Sequence, residues 1–127
     1  MGEVVTALWV IVPAYDEAAR IGGTLAALAA QRDRDFTLLV VDNGSTDGTA
    51  EVVRAFLATA PFAGAVITEP ERGVGCAVDT GFRYAIARGA TLLARTDADC
   101  LPHPGWVAGA RASLTAGADM ACGRIRA

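Results

Sequence analysis

Residues 36–49 read FTLLVVDNGSTDGT: an apolar run that ends on an acid, an Asn-Gly turn, and then the hydroxyls and carboxylate typical of a helix start. Phe36 to Val41 shows almost no polar alternation, which marks a strand buried on both faces, as in a parallel sheet covered by helices. Asp42 closes that strand. A second acidic switch, TDADC at residues 96–100, follows the apolar run Ala90 to Ala94 and carries Asp97 and Asp99. Carboxylates at the C-terminal ends of two buried strands fall in one crevice of an open α/β sheet, where such sheets bind ligands.

Outward from these two points, short apolar runs alternate with amphipathic stretches. Leu8 to Val12 is a strand stopped by Pro13, and Ile21, Leu25 and Leu28 recur at helical spacing until the charged break at Arg32 to Asp35. Ser45, Thr46 and Asp47 offer N-caps to a helix carrying Val52, Val53 and Phe56, which ends before Pro61. Ala63 to Thr68 is a third strand, Gly73 to Ala87 a helix, Thr91 to Thr96 a fourth strand, Gly105 to Thr115 a helix and Asp119 to Arg124 a fifth strand. Strands separated by helices predict a mostly parallel α/β sheet with helices on both faces, in a single domain over residues 1–127.

Composition narrows the partners. At 127 residues and 53% hydrophobic the chain is long enough for one real core. A net charge of −3, with 11 Lys plus Arg in no run, gives no basic field for nucleic acid. Three cysteines, Cys76, Cys100 and Cys122, lack metal or disulfide-framework spacing, so a reducing, cytoplasmic setting is expected. No stretch reaches the roughly 18 apolar residues of a membrane span, although a longer parent is free to act at the cytoplasmic membrane face.

Individual motifs carry specific chemistry beside plainer readings. Asp97 and Asp99 are hard oxygen ligands suited to Mg²⁺ or Mn²⁺ on a diphosphate, or else an acidic turn leading into Pro102 and Pro104. Asp42 is placed to accept hydrogen bonds from a base or ribose, whereas Asn43 through Thr46 are also explained by a turn and a cap. In VPAYDE, residues 12–17, Tyr15 is available to a planar base and Glu17 equally suits the dipole at a helix start. Arg72, in ERGVGCAVDTG at residues 71–81, offers a donor fork to a base or phosphate, or is a solvated loop charge. Gly73 and Gly75 begin a G-x-G-x-x-G, but Val78 takes the third glycine position and the first strand-to-helix turn holds VPAYDE instead. A nicotinamide-dependent oxidoreductase is disfavoured accordingly.

Together, VIVPAYDE, VVDNGSTDGT, ERGVGCAVDTG and TDADCLPHPGW, in this order, resemble the nucleotide-sugar-binding portion of family 2 glycosyltransferases with the Rossmann-like GT-A fold. The resemblance spans about Ala7 to Gly123. It implies a nucleoside-diphosphate sugar donor, a UDP-sugar first among them, with Pro13, Tyr15 and Glu17 lining the nucleotide pocket, Asp42 contacting the base and Arg72 flanking it. Asp97 then reaches the ribose or sugar, and Asp99 binds the Mn²⁺ or Mg²⁺ that makes the diphosphate a good leaving group. Arg95 and Thr96 stand where apolar residues more usually precede this D-x-D motif, and Asp79 where Asn is common. Members of the family continue into an acceptor-binding half that carries the general base, so the base is expected beyond Ala127. Asp119, at the remote entry of its strand, is a poor substitute, and His103, between two prolines, is left out of the site. The acceptor is not specified, and a non-catalytic nucleotide-sugar-binding module is the alternative reading.

Overall fold

A computed structural model describes residues 7–115. The elements run β1 (Leu8–Ala14), α1 (Ile21–Ala29), β2 (Thr37–Asp42), α2 (Thr49–Leu57), β3 (Gly64–Thr68), α3 (Val74–Ala87), β4 (Leu92–Arg95) and α4 (Trp106–Thr115). The expected fifth strand, Asp119 to Arg124, lies outside the described residues. The four strands form one sheet in the order β3-β2-β1-β4, with every pairing parallel.

That order explains the layers. Right-handed crossovers place α1 and α2 on one face as the chain steps from β1 to β2 to β3. The return from β3 across the sheet to β4 places α3 on the other. Leu8, Val10, Val12, Leu38 and Val40 accordingly pack with Ile21, Leu25 and Leu28 of α1, Val53 of α2 and Trp106, Val107 and Ala110 of α4. The alternate residues Ile11, Leu39 and Val41 pack with Ala77 and Ala85 of α3. The reversal of strand order between β1 and β4 opens a crevice at their C-terminal ends.

The first strand does not stop at Pro13; it continues to Ala14. The Ile11 carbonyl accepts from the Thr96 N–H on the β4 side, while the Ala14 carbonyl accepts from Asn43 on the β2 side. Pro13, two residues after Ile11, therefore turns its nitrogen toward β4, whose pairing has already ended at Ile11↔Arg95. No ladder donor is lost, and proline is tolerated inside the strand.

α3 lies against the sheet through Gly81. A Cβ there would come within 2.7 Å of Ile11 Cγ2 and 2.9 Å of Val41 Cγ2, both side chains fully buried. Helix propensity alone makes Gly81→Ala stabilising by about 1 kcal/mol. The close approach reverses the sign, and a net loss of about 1–2 kcal/mol is expected in urea unfolding. An increase in stability would show that α3 has room to move off the sheet.

α4 is tied to the α1–β2 connection by Arg111. Its Nε and Nη2 donate to the two Asp33 carboxylate oxygens at 2.7 and 3.2 Å, and Nη2 also reaches the Asp35 carbonyl at 2.6 Å. Hydrogen bonding from Arg111 holds the Asp33 carboxyl below the usual carboxylate range, against the opposing effect of burial. A folded-state pKa below the unfolded one means that this contribution is present at neutral pH and lost in acid. Asp33→Asn should cost about 1 kcal/mol at pH 7, with the gap from the parent protein narrowing as the pH falls below about 4. A gap independent of pH would assign the cost to packing.

Candidate nucleotide-sugar site

The C-terminal ends of β1 and β4 and the first turn of α3 enclose a cavity of about 550 Å³. Of the residues expected to form the site, Pro13, Tyr15, Glu17, Arg72, Asp97 and Asp99 all line it; Asn43, Val74, Ala77 and Arg95 join them. Asp42 is not among the lining residues. It ends β2 opposite Ala14 and Thr68, is 7% exposed, and its Oδ1 accepts the Ser45 N–H at 3.2 Å.

The N-cap position of α2 is not Ser45, Thr46 or Asp47 as expected, although Asp47 Oδ1 accepts the N–H of Thr49, the first residue of the helix, at 3.2 Å. The cap is Gly48, at φ 85°, with no side-chain cap bond; that left-handed conformation is one glycine adopts without strain. The polar side chains also reach the loop after β1. Ser45 Oγ accepts the Asp16 N–H at 2.8 Å, Thr49 Oγ1 the Glu17 N–H at 3.0 Å and Asp47 Oδ2 the Ala18 N–H at 3.1 Å. Asp16 Oδ1 accepts the Thr46 N–H at 2.8 Å in return. These bonds hold Asp16 at φ 51°, a conformation uncommon for a residue other than glycine, and so place Tyr15 and Glu17 at the cavity. The Asp47 carboxyl is lowered in pKa chiefly by the hydrogen bond from Thr49.

Asn43 performs the same office for the Arg72 segment. Its Nδ2 donates to the Glu69 and Glu71 carbonyls, both at 2.8 Å, and its Oδ1 accepts the Gly73 N–H at 2.9 Å. Glu69 is itself fixed by the hydroxyl of Thr80. Arg72 is thereby laid over the Tyr15 ring, its Cζ 3.8 Å from the centroid, a cation–π contact in which Tyr15 stays 40% exposed.

The acidic loop after β4 is held from α1. Thr24 Oγ1 donates to the Ala98 and Cys100 carbonyls at 2.9 and 2.6 Å. Gln31, nearly fully buried, donates to the His103 carbonyl at 2.7 Å and accepts the Val107 N–H of α4 at 2.9 Å. Within the loop Arg95 Nη2 lies 3.2 Å from Asp97 Oδ1. Ligand atoms of Asp97, Asp99 and Cys100 lie within 4.8 Å of one another, so the hard-oxygen pair expected for a divalent cation is geometrically able to hold one. His103 accepts from its own turn, Gly105 N–H to Nδ1 at 3.1 Å, and is not in that group. Asp79 points away along α3, paired with Arg83 at 2.8 Å.

The residues that do the positioning, Asn43, Thr24 and Gln31, escaped the sequence reading, because each acts on backbone groups distant in the chain. Among the described residues no helix is long and apolar enough to cross a membrane.

Comparison with known proteins agrees with this architecture. The chain is 33% identical over 119 residues to glycosyltransferase AglE of Haloferax volcanii, covering 91% of this chain and 38% of that protein. The structure of the mannosyltransferase PcManGT from Pyrobaculum calidifontis, solved with GDP-Man and Mn²⁺, aligns with a TM-score of 0.71 and 36% identity over 80% of this chain and 30% of that one. S. aureus TarS shares the fold, with a TM-score of 0.75 at 23% identity over 87% of this chain and 33% of the TarS 1–349 chain. The chain thus spans well under half the length of these proteins. With the Glycosyl transferase family 2 model matching residues 9–127, and with a parallel α/β sheet shared with GT-A glycosyltransferases, this chain belongs to glycosyl transferase family 2.

Proposed function

We propose that this chain is the donor-binding portion of an enzyme that transfers a sugar from a nucleoside-diphosphate sugar to an acceptor hydroxyl with the help of Mn²⁺ or Mg²⁺. The observation that carries this reading is one cavity lined by both Tyr15 and Arg72, which stack, and by Asp97 and Asp99. The stack is a planar, cationic platform suited to a nucleobase. Asp42 has one oxygen committed to Ser45, and its other oxygen is the acceptor proposed for the base. The start of α3, which lines the same cavity through Gly73 and Val74, offers the positive end of a helix dipole to the anionic diphosphate.

Asp97 is drawn toward Arg95 and serves the ribose or sugar hydroxyls. Asp99, exposed and without an ion pair among the described residues, is the proposed metal ligand. A divalent cation held there would supply Lewis-acid stabilisation of charge developing on the departing diphosphate. The Tyr15–Arg72 stack and Asp97 orient the donor, and the general base and acceptor site are proposed to lie outside the described residues. Calorimetry of the chain with UDP, GDP and ADP, in Mn²⁺ and in EDTA, tests the reading. At least one diphosphate should bind, more tightly with metal; no binding of any of them would overturn it.

A further inference from the structure

Arg95 has no part in the roles set out so far beyond its contact with Asp97. It is the last residue of β4, the edge strand of the described sheet beside β1, and its side chain is about a quarter exposed. Ala94 faces the core beneath α1, α2 and α4, while Leu93 packs against the α3 side. Alternation along the strand sends Arg95 to the α3 side as well, into the cavity beside Val74 and Ala77.

Its partnership with Asp97 is slack. Nε and Nη2 approach the same oxygen, Oδ1, at 3.4 and 3.2 Å. Arg111, by contrast, engages both oxygens of Asp33, the nearer at 2.7 Å, within the range usual for charge-assisted bonds. Of the five N–H groups of the Arg95 guanidinium, those of Nη1 have no partner among the described residues. The cavity walls also carry Asp97, Asp99 and Glu17, the last paired with Arg20 at 2.7 Å, and the other cation lining the cavity, Arg72, lies with its guanidinium face on the Tyr15 ring.

We propose that Arg95 contacts the diphosphate of the donor, so that part of the phosphate affinity of this chain does not depend on metal. A guanidinium fork matches non-bridging phosphate oxygens, and its charge is fixed at every physiological pH. The inference rests on the donor-binding reading above.

The test compares the full chain with Arg95→Leu and Arg95→Gln, titrating UDP and GDP in EDTA and in saturating Mn²⁺, with uridine and guanosine as phosphate-free controls. In EDTA both variants should bind the preferred diphosphate about 10- to 100-fold more weakly than the parent chain. With Mn²⁺ the loss should be smaller, and nucleoside affinity should not change. Arg95→Gln keeps a polar N–H donor at the ε position without the charge, and carries the comparison alone if Arg95→Leu does not fold. Diphosphate affinity in EDTA equal to that of the parent chain, or no binding by the parent chain in EDTA while Mn²⁺ restores it, overturns the role of Arg95 and leaves donor binding standing. Equal losses for nucleoside and diphosphate overturn it too, by making Arg95 a shaper of the base pocket. No binding by the parent chain in either condition overturns both readings.

Discussion

Asp99→Asn is expected to lower affinity for a nucleoside diphosphate in Mn²⁺ by about 100-fold, while leaving affinity in EDTA unchanged or slightly raised. Even residues that only orient metal ligands are worth about 10- to 100-fold in metal affinity, and a direct ligand sits at the upper end. The substitution keeps shape and removes the charge, and in EDTA it also removes a repulsion against the diphosphate. Stability should stay within about 0.5 kcal/mol, because Asp99 is exposed and, among the described residues, the one side-chain hydrogen bond its carboxylate accepts is the long one from the Cys100 thiol, at 3.9 Å. Calorimetry in the two conditions, with a urea titration as control, reads all of this. Equal losses with and without metal would move the metal away from Asp99.

Asn43→Ala should be the most damaging single change to the ordering of the site. It removes two donors and one acceptor that join the end of β2 to the 69–73 segment at a residue only 5% exposed. At about 1 kcal/mol for each bond, with a further cost for backbone groups left unpaired, the loss is about 3 kcal/mol. Arg72 then loses its position over Tyr15, and nucleotide affinity should fall with or without metal. Arg72→Ala provides the contrast, weakening binding with little effect on stability, since Arg72 is exposed. Urea unfolding combined with hydrogen exchange at Gly73, whose N–H donates to Asn43, separates the two. A stability change under about 0.5 kcal/mol for Asn43→Ala would mean that the segment is ordered by something else.

The same contrast shows what the sequence makes legible. Uninterrupted apolar runs such as Leu38 to Val41 announce buried parallel strands, and the acids that end them mark the crevice, so the layers and the acidic part of the cavity wall are accessible from pattern, whereas Pro13, Tyr15, Glu17 and Arg72 are assigned to the pocket through the family resemblance. Side-chain partners are not, because pattern exposes near neighbours and these partners lie far along the chain. Ser45, Thr46 and Asp47 have the chemistry of a helix cap, but the loop after β1 lies close enough to use them or their backbone N–H groups. Arg72 resembles a solvated loop charge until Tyr15 is brought beneath it. Thr24 and Gln31 sit within or just past an apolar helix pattern, and only the packed structure shows them holding the loops that bear Asp99 and α4. Pro13 illustrates the converse: a residue that stops strands in general is harmless here because the neighbouring strand has already ended on that side.

The central claim is that nucleotide and metal share the cavity between β1 and β4. Crystals soaked with Mn²⁺ and the preferred nucleoside diphosphate, with diffraction recorded at the manganese absorption edge, test it most directly. The account predicts one anomalous peak within coordination distance of the Asp99 carboxylate, about 2.0–2.1 Å by analogy with Mg²⁺, with the diphosphate against it and the base at the Tyr15–Arg72 stack. A nucleotide bound elsewhere, or a peak away from Asp99 with the nucleotide in place, would contradict it.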